Sequence, residues 1–217
     1  MSGVQEKTKN RTGASGAKRL ARIALFTALT AVCAQISIPL PGGVPITLQT
    51  LAIMLSAIVL RFDGVFSVAA YVFLGLVGVP VFSKFGATAS LFSPTGGYIV
   101  GFLPMAAIIA AVCEFADKRR AAQSLSAPRE GSEEKREQTQ KKRDARKTFI
   151  VSFIASVIGT LVCYAFGTAW FVGFYSLKGT EKSVSAVLSA CVLPFIAPDL
   201  LKIALASYLA TLFHRIR

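Results

Sequence analysis

Residues 192–213 (VLPFIAPDLLKIALASYLATLF) form an apolar run that carries Asp199 and Lys202 near its beginning. At roughly 1.5 Å per residue, a helix of this length crosses the ~30 Å hydrocarbon core of a bilayer. Each charge in a membrane interior costs about 2.5–3.5 kcal/mol on insertion scales, so such residues are rare there and usually functional. Their i, i+3 spacing puts both side chains on one face of the helix. That face has to look at protein, water or a ligand, and the rest of the chain is what surrounds it.

Further apolar runs recur from residue 23 onward, in a chain that is 53% hydrophobic and only 16% charged. A soluble domain would carry roughly 25% charged residues. The alternating ten-residue segments of a membrane β-barrel are absent. The expected fold is therefore an all-α integral membrane bundle, one domain over residues 1–217, with spans near 23–38, 48–60, 65–79, 98–115, 148–174 and 192–213. Residues 1–22 are polar and basic and have the outline of a signal peptide. The apolar part continues to Ile38 without a small-residue cleavage site, so the reading is a retained first helix.

Between the spans, residues 38–47 (IPLPGGVPIT) hold three prolines and two glycines. Such a segment is a shaped loop and no helix. Residues 80–97 form a second, glycine-rich and aromatic loop, and Arg61 to Gly64 make a tight turn. Residues 117–147 are almost devoid of apolar side chains and mixed in charge, which predicts a disordered or fraying-helical loop.

Six spans put both termini on one side. Lys and Arg on that side number 20, whereas the opposite side holds only Lys84, Lys178 and Lys182, with Lys202 inside a span. The positive-inside rule then makes the termini and the 117–147 loop cytoplasmic. The net charge of +13 is accounted for by topology, leaving no case for a nucleic-acid partner. Asp199 and Lys202 come to lie about 10–15 Å below the external surface, beneath the loops 38–47 and 80–97. Irregular backbone at that depth is tolerated where it lines a cavity.

Several residues are candidates for contact with a ligand there. Asp199 can accept N–H donors and Lys202 can receive a carboxylate; the bland alternative is a structural ion pair that offsets its own insertion cost. Gln49, with Thr47 just before it, opens the second span beneath the first loop and is either a ligand-facing amide or an interfacial polar residue. Tyr98 closes the turn Ser93-Pro-Thr-Gly-Gly-Tyr98 and is a ligand contact or a belt tyrosine. Phe85 and Phe92 can supply apolar walls. Small residues also recur at helical spacing. Ala155, Gly159, Cys163 and Gly167 suit close helix packing, and Ala24 and Ala28, with Ala31 extending their face, suit packing or a partner subunit.

Absences narrow the function. There is no phosphate-binding Gly-x-x-x-x-Gly-Lys-Ser/Thr loop, no second intramembrane aspartate for a dyad, and no Gly-x-Ser-x-Gly. The four cysteines show no C-x-x-C spacing, and His214, the single histidine, ends the last span. These features disfavour an enzyme or a metal site and suggest no cofactor.

Four motifs occur in order: Gln35-Ile-Ser-Ile-Pro-Leu-Pro-Gly-Gly-Val-Pro-Ile-Thr-Leu-Gln-Thr50, Leu76-Val-Gly-Val-Pro-Val-Phe82, Ser93-Pro-Thr-Gly-Gly-Tyr98 and Pro194-Phe-Ile-Ala-Pro-Asp-Leu-Leu-Lys202. Together they resemble the BioY family, the biotin-binding S components of energy-coupling-factor (ECF) transporters, over about residues 19–217 apart from the charged insert. The resemblance implies a six-helix subunit of the bacterial cytoplasmic membrane that captures biotin from outside. A transmembrane T protein and two ATPase subunits would energise release, so that ATP is bound only by partners. It also implies that Asp199 and Lys202 belong to the binding site, with Gly96 and Gly97 in the same motif as Tyr98, and that Ala24-x-x-x-Ala28 touches the T protein. Some members have a basic residue directly after the Gly-Gly-Tyr and an asparagine in the preceding loop; here Ile99 and Phe85 stand at those places. Two readings compete: a solitary or ion-coupled carrier of biotin or a related carboxylate vitamin, and a structural scaffold with 117–147 as its docking segment.

Overall fold

The second span is the axis of the structure. In α2 (Gln49–Leu60) every residue from Ala52 to Ile58 is buried. A helix that is apolar all round belongs inside a bundle. The computed structural model describes residues 2–39, 44–125, 133–179 and 183–216, with side chains for 16–39, 44–84, 86–122, 143–179, 183–189 and 191–213. Around α2 stand α1 (Ser2–Gln35), α3 (Phe62–Leu76), α5 (Gly96–Leu125) and α8 (Leu193–Ile216), while α6 (Glu133–Leu177) packs on α5 and α8. Two short helices, α4 (Thr88–Leu91) and α7 (Val184–Cys191), and a 3-10 turn at Ser83–Phe85 complete the helical elements among the described residues.

The α5–α6 pair has the most extensive interface in the bundle. Small residues make its close approach possible: a Cβ on Gly159 would sit 3.0 Å from Ile109, and one on Gly101 would sit 3.2 Å from Phe166. The small-residue stripe of the fifth span thus faces α5.

Outward faces are apolar at helical spacing. Ile150, Ile154, Ile158 and Leu161 line the exposed side of α6, and Leu201, Leu205, Tyr208 and Leu212 line that of α8. Apolar surface of this extent needs lipid or protein to cover it. Three helices, Gly96–Ala122, Arg143–Leu177 and Leu193–Phe213, are long and apolar enough to cross a membrane, and α2 and α3 are shorter apolar helices. The chain is an all-α, multi-pass membrane protein.

Several boundaries differ from expectation. Helix α1 runs unbroken through the basic segment from Ser2 and stops at Gln35, three residues short of the expected end. The tight turn at 61–64 shrinks to Arg61 alone, held at φ 59°. Gly64 already lies inside α3, where any Cβ would strike the Ser56 carbonyl. The charged segment is largely helical: α5 continues to Leu125 and α6 resumes at Glu133. Alternating charges support helix where they pair one turn apart, as Lys118 does with Glu114 at 3.0 Å. Tertiary ties hold the flanks, with Arg61 to Asp117 at 2.6 Å and Arg120 to the Thr148 hydroxyl at 2.8 Å. The loop 38–47 is bounded by a two-stranded antiparallel pair, Ser37–Ile38 with Ile46–Thr47.

Candidate functional site

The first turns of α8 carry Pro194 and Pro198. Proline lacks an N–H, so Pro198 leaves one rung of the helical ladder unmade directly before Asp199. From there the helix places Asp199 and Lys202 on its inner face, where they are 4% and 6% exposed. Lys202 Nζ donates to Asp199 Oδ1 at 2.7 Å and to the Thr50 hydroxyl of α2 at 3.3 Å. The other carboxylate oxygen accepts from the Tyr164 hydroxyl of α6 at 2.5 Å. One charged cluster therefore ties α2, α6 and α8 together.

This cluster is not saturated. An ammonium has three donors and Lys202 uses two on these partners; an ionised carboxylate has about four lone-pair sites, and Asp199 receives two donors. Both side chains line a cavity of about 230 Å³. Pockets for small molecules commonly measure roughly 300–1,000 Å³, so this one suits a compact ligand. Its walls are the apolar and aromatic side chains Phe82, Tyr98, Ile99, Phe102 and Phe195, and Gln49 projects a buried amide nitrogen without a hydrogen-bond partner. A buried donor without a partner costs about 1–3 kcal/mol, which a ligand acceptor would offset.

Of the residues singled out from sequence, Thr47, Gln49, Tyr98, Asp199 and Lys202 line this one cavity. Gly96, Gly97 and Phe92 do not, and the first two have a different role. A Cβ on Gly96 would run into the Leu91 carbonyl and one on Gly97 into Trp170, so these glycines let the loop and α6 close on the start of α5. Phe92 is 69% exposed and lies outside the cavity lining, beside a turn in which the Ser93 hydroxyl donates to the Ser90 carbonyl at 2.6 Å. The side chain of Phe85 lies outside the described residues. Ala24 and Ala28 are exposed on α1 beside Leu25 and Val32 and do not line the cavity.

Sequence reasoning missed Tyr164, Thr50 and Lys84, all in the cavity lining. Tyr164 left one usable signal, a phenol in a long apolar span directly after Cys163 of the small-residue stripe. Lys84 left another, as one of the few basic residues on the side that the sequence leads one to expect to be poor in cations. Among the described residues, no three His, Cys, Asp or Glu side chains approach closely enough to hold a metal ion.

Comparison with known proteins bears on the fold and the family. A crystal structure of the S component for biotin from an ECF-type ABC transporter superposes with a TM-score of 0.69, covering 93% of each chain at 23% identity, and so shares the fold. The probable biotin transporter BioY of Pyrococcus horikoshii is 35% identical over 196 residues, which is 89% of this chain and 94% of the relative. The biotin transporter BioY of Thermotoga maritima is 33% identical over 195 residues, with the same coverage of 89% and 94%. The BioY family model matches residues 5–217, nearly the whole sequence. This chain belongs to the BioY family.

Proposed function

We propose that this chain is the biotin-capturing S component of an ECF transporter. It would cross the cytoplasmic membrane six times, through α1, α2, α3, α5, α6 and α8, with both termini inside. The observation that carries this reading is the unsaturated Asp199–Lys202–Tyr164 cluster at the floor of an apolar cavity, in a member of the BioY family. Biotin offers a ureido group with two N–H donors and a carbonyl, then a thioether ring and aliphatic chain, then a carboxylate. Asp199 can accept the ureido N–H groups, the remaining Lys202 donor can meet the carbonyl, and Phe102 and Phe195 can cover the ring system. Thr47, Gln49 and Tyr98 complete the wall. None of these steps breaks a bond, so the protein's work is binding and release.

The short α2 supports the same picture. Its 12 residues measure about 18 Å, less than the hydrocarbon core. On this reading Gln49 and Thr50 at its start lie below the outer surface, which is consistent with their place in the cavity lining. A binding isotherm for biotin on the purified protein in nanodiscs tests the reading: one saturable site is expected, and no binding at any concentration would leave the scaffold alternative. Uptake that requires ATP and co-purifying ATPase subunits separates an S component from an ion-coupled carrier.

The exposed α1 face of Ala24, Ala28 and Leu25 is the candidate contact for the transmembrane T protein, since small residues admit a second helix closely. Ala28→Trp is expected to abolish co-purification with the T and ATPase subunits and to leave biotin affinity unchanged. A pull-down beside the isotherm checks both. Intact assembly in the variant would place the interface elsewhere.

A further inference from the structure

Two ammonium groups line the cavity, and they are in opposite states. Lys202 is buried and committed to Asp199 at 2.7 Å and Thr50 at 3.3 Å. Lys84 is exposed and, among the described residues, makes neither an ion pair nor a hydrogen bond through its side chain. Building on the biotin-capture reading above, we propose that Lys84, and not Lys202, receives the ligand's carboxylate, at the mouth of the cavity.

The backbone under Lys84 is built for a fixed position. Its φ of 57° and ψ of 38° are left-handed, a conformation that residues other than glycine, asparagine and aspartate rarely take. Such conformations persist where the surroundings over-determine them, and here they do. The Phe82 N–H donates to the Gly86 carbonyl at 2.9 Å and the Gly86 N–H to the Ser83 carbonyl at 3.1 Å, closing the turn. From α1, the Gln35 amide donates to the Val81 carbonyl at 3.3 Å and the Phe82 carbonyl at 3.0 Å. From α3, the Tyr71 hydroxyl donates to the Val81 carbonyl at 3.2 Å, and Gly75 makes room for the Phe82 ring. Two helices, α1 and α3, thus clamp a self-closed turn whose tip is a lysine.

Charge balance assigns the two ends of the ligand. Asp199 and Lys202 cancel, so the floor is polar but neutral and favours an uncharged hydrogen-bonding group. A carboxylate pushed there would meet Asp199, a like charge, away from water. Lys84 is the uncompensated charge among the described lining residues, and at the mouth both ions of the new pair stay partly hydrated. The bland alternative is that Lys84 is a solvated turn residue, in which case its charge is irrelevant to the ligand.

Equilibrium binding of biotin and biotin methyl ester to wild type, Lys84→Asn and Lys84→Arg decides between them. Asparagine tolerates the left-handed backbone, so Lys84→Asn removes the charge and keeps the turn. Wild type is expected to prefer the acid over the ester, and Lys84→Asn to lose about tenfold in biotin affinity with the ester unchanged, as for one charge-assisted contact. Lys84→Arg should restore the acid preference. Raising salt should weaken biotin binding to wild type more than to Lys84→Asn, since an exposed pair is screened. An acid preference retained in Lys84→Asn, or an equal loss for both ligands, overturns the proposal and leaves biotin capture standing. A wild-type protein that binds neither ligand overturns the capture reading and the proposal with it.

Discussion

Asp199→Asn is expected to lower biotin affinity by at least about a hundredfold. Two losses add at that position. The ligand's N–H donors face a neutral amide whose own N–H group can point at them, and Lys202 is left charged in a site where it is 6% exposed. Removing one member of a buried pair typically costs about 3–5 kcal/mol, because the remaining ion is uncompensated. Stability should therefore fall as well, so an affinity change alone does not prove ligand contact. The double variant Asp199→Asn/Lys202→Met separates the two effects. Methionine fills the volume of the lysine stem without its charge, and replacing a whole buried pair by apolar groups is often neutral. The double variant should regain most of the lost thermal stability in detergent and still fail to bind biotin. If it binds as wild type does, the pair is a structural ion pair and the ligand is held elsewhere.

That Asp199 and Lys202 share one inward-looking face was legible from one-dimensional information, whereas their bond to each other was not. Charges three apart in an apolar run share a helical face, and lipid cannot be their neighbour. What they bond to was not legible. Tyr164 and Thr50 reach Asp199 and Lys202 from other helices, and no periodicity within α6 or α2 reports which residue stands opposite which. The two shaped loops illustrate the same limit. The composition of 38–47 excludes helix and that of 80–97 leaves room for the short α4, yet neither composition tells that Lys84 lines the cavity while Phe92 is exposed outside its lining. Gly96 and Gly97 sit in a motif beside the site and act there by letting Leu91 and Trp170 come close, so their effect on a ligand is indirect. Segment 117–147 is polar enough to suggest a disordered or fraying-helical loop. Its helical flanks owe their order to partners more than fifty and nearly thirty residues away in sequence, Arg61 for Asp117 and Thr148 for Arg120.

A test of that indirect control lies in Gly167, on α6, where a Cβ would overlap the Tyr98 ring. Gly173, farther along the same helix, has nothing within 4 Å of the equivalent position. Alanine is favoured over glycine in a helix by about 1 kcal/mol, so Gly173→Ala should be neutral or slightly stabilising. Gly167→Ala receives the same propensity gain but must displace an aromatic ring buried between two helices, and overpacking of this kind costs about 1–3 kcal/mol. The two substitutions are therefore expected to differ in sign. The ring can yield only by moving into the cavity or by prising α5 from α6, and either movement should weaken biotin binding by tenfold or more. Tyr98→Leu made on top of Gly167→Ala removes the obstructing ring, so it should recover stability relative to Gly167→Ala alone, a coupling readable from a double-mutant cycle. Melting temperatures and biotin isotherms for the four glycine and tyrosine combinations give the answer. Additive effects would mean that Tyr98 does not rest on Gly167, and that the cavity wall is positioned by other contacts of α5.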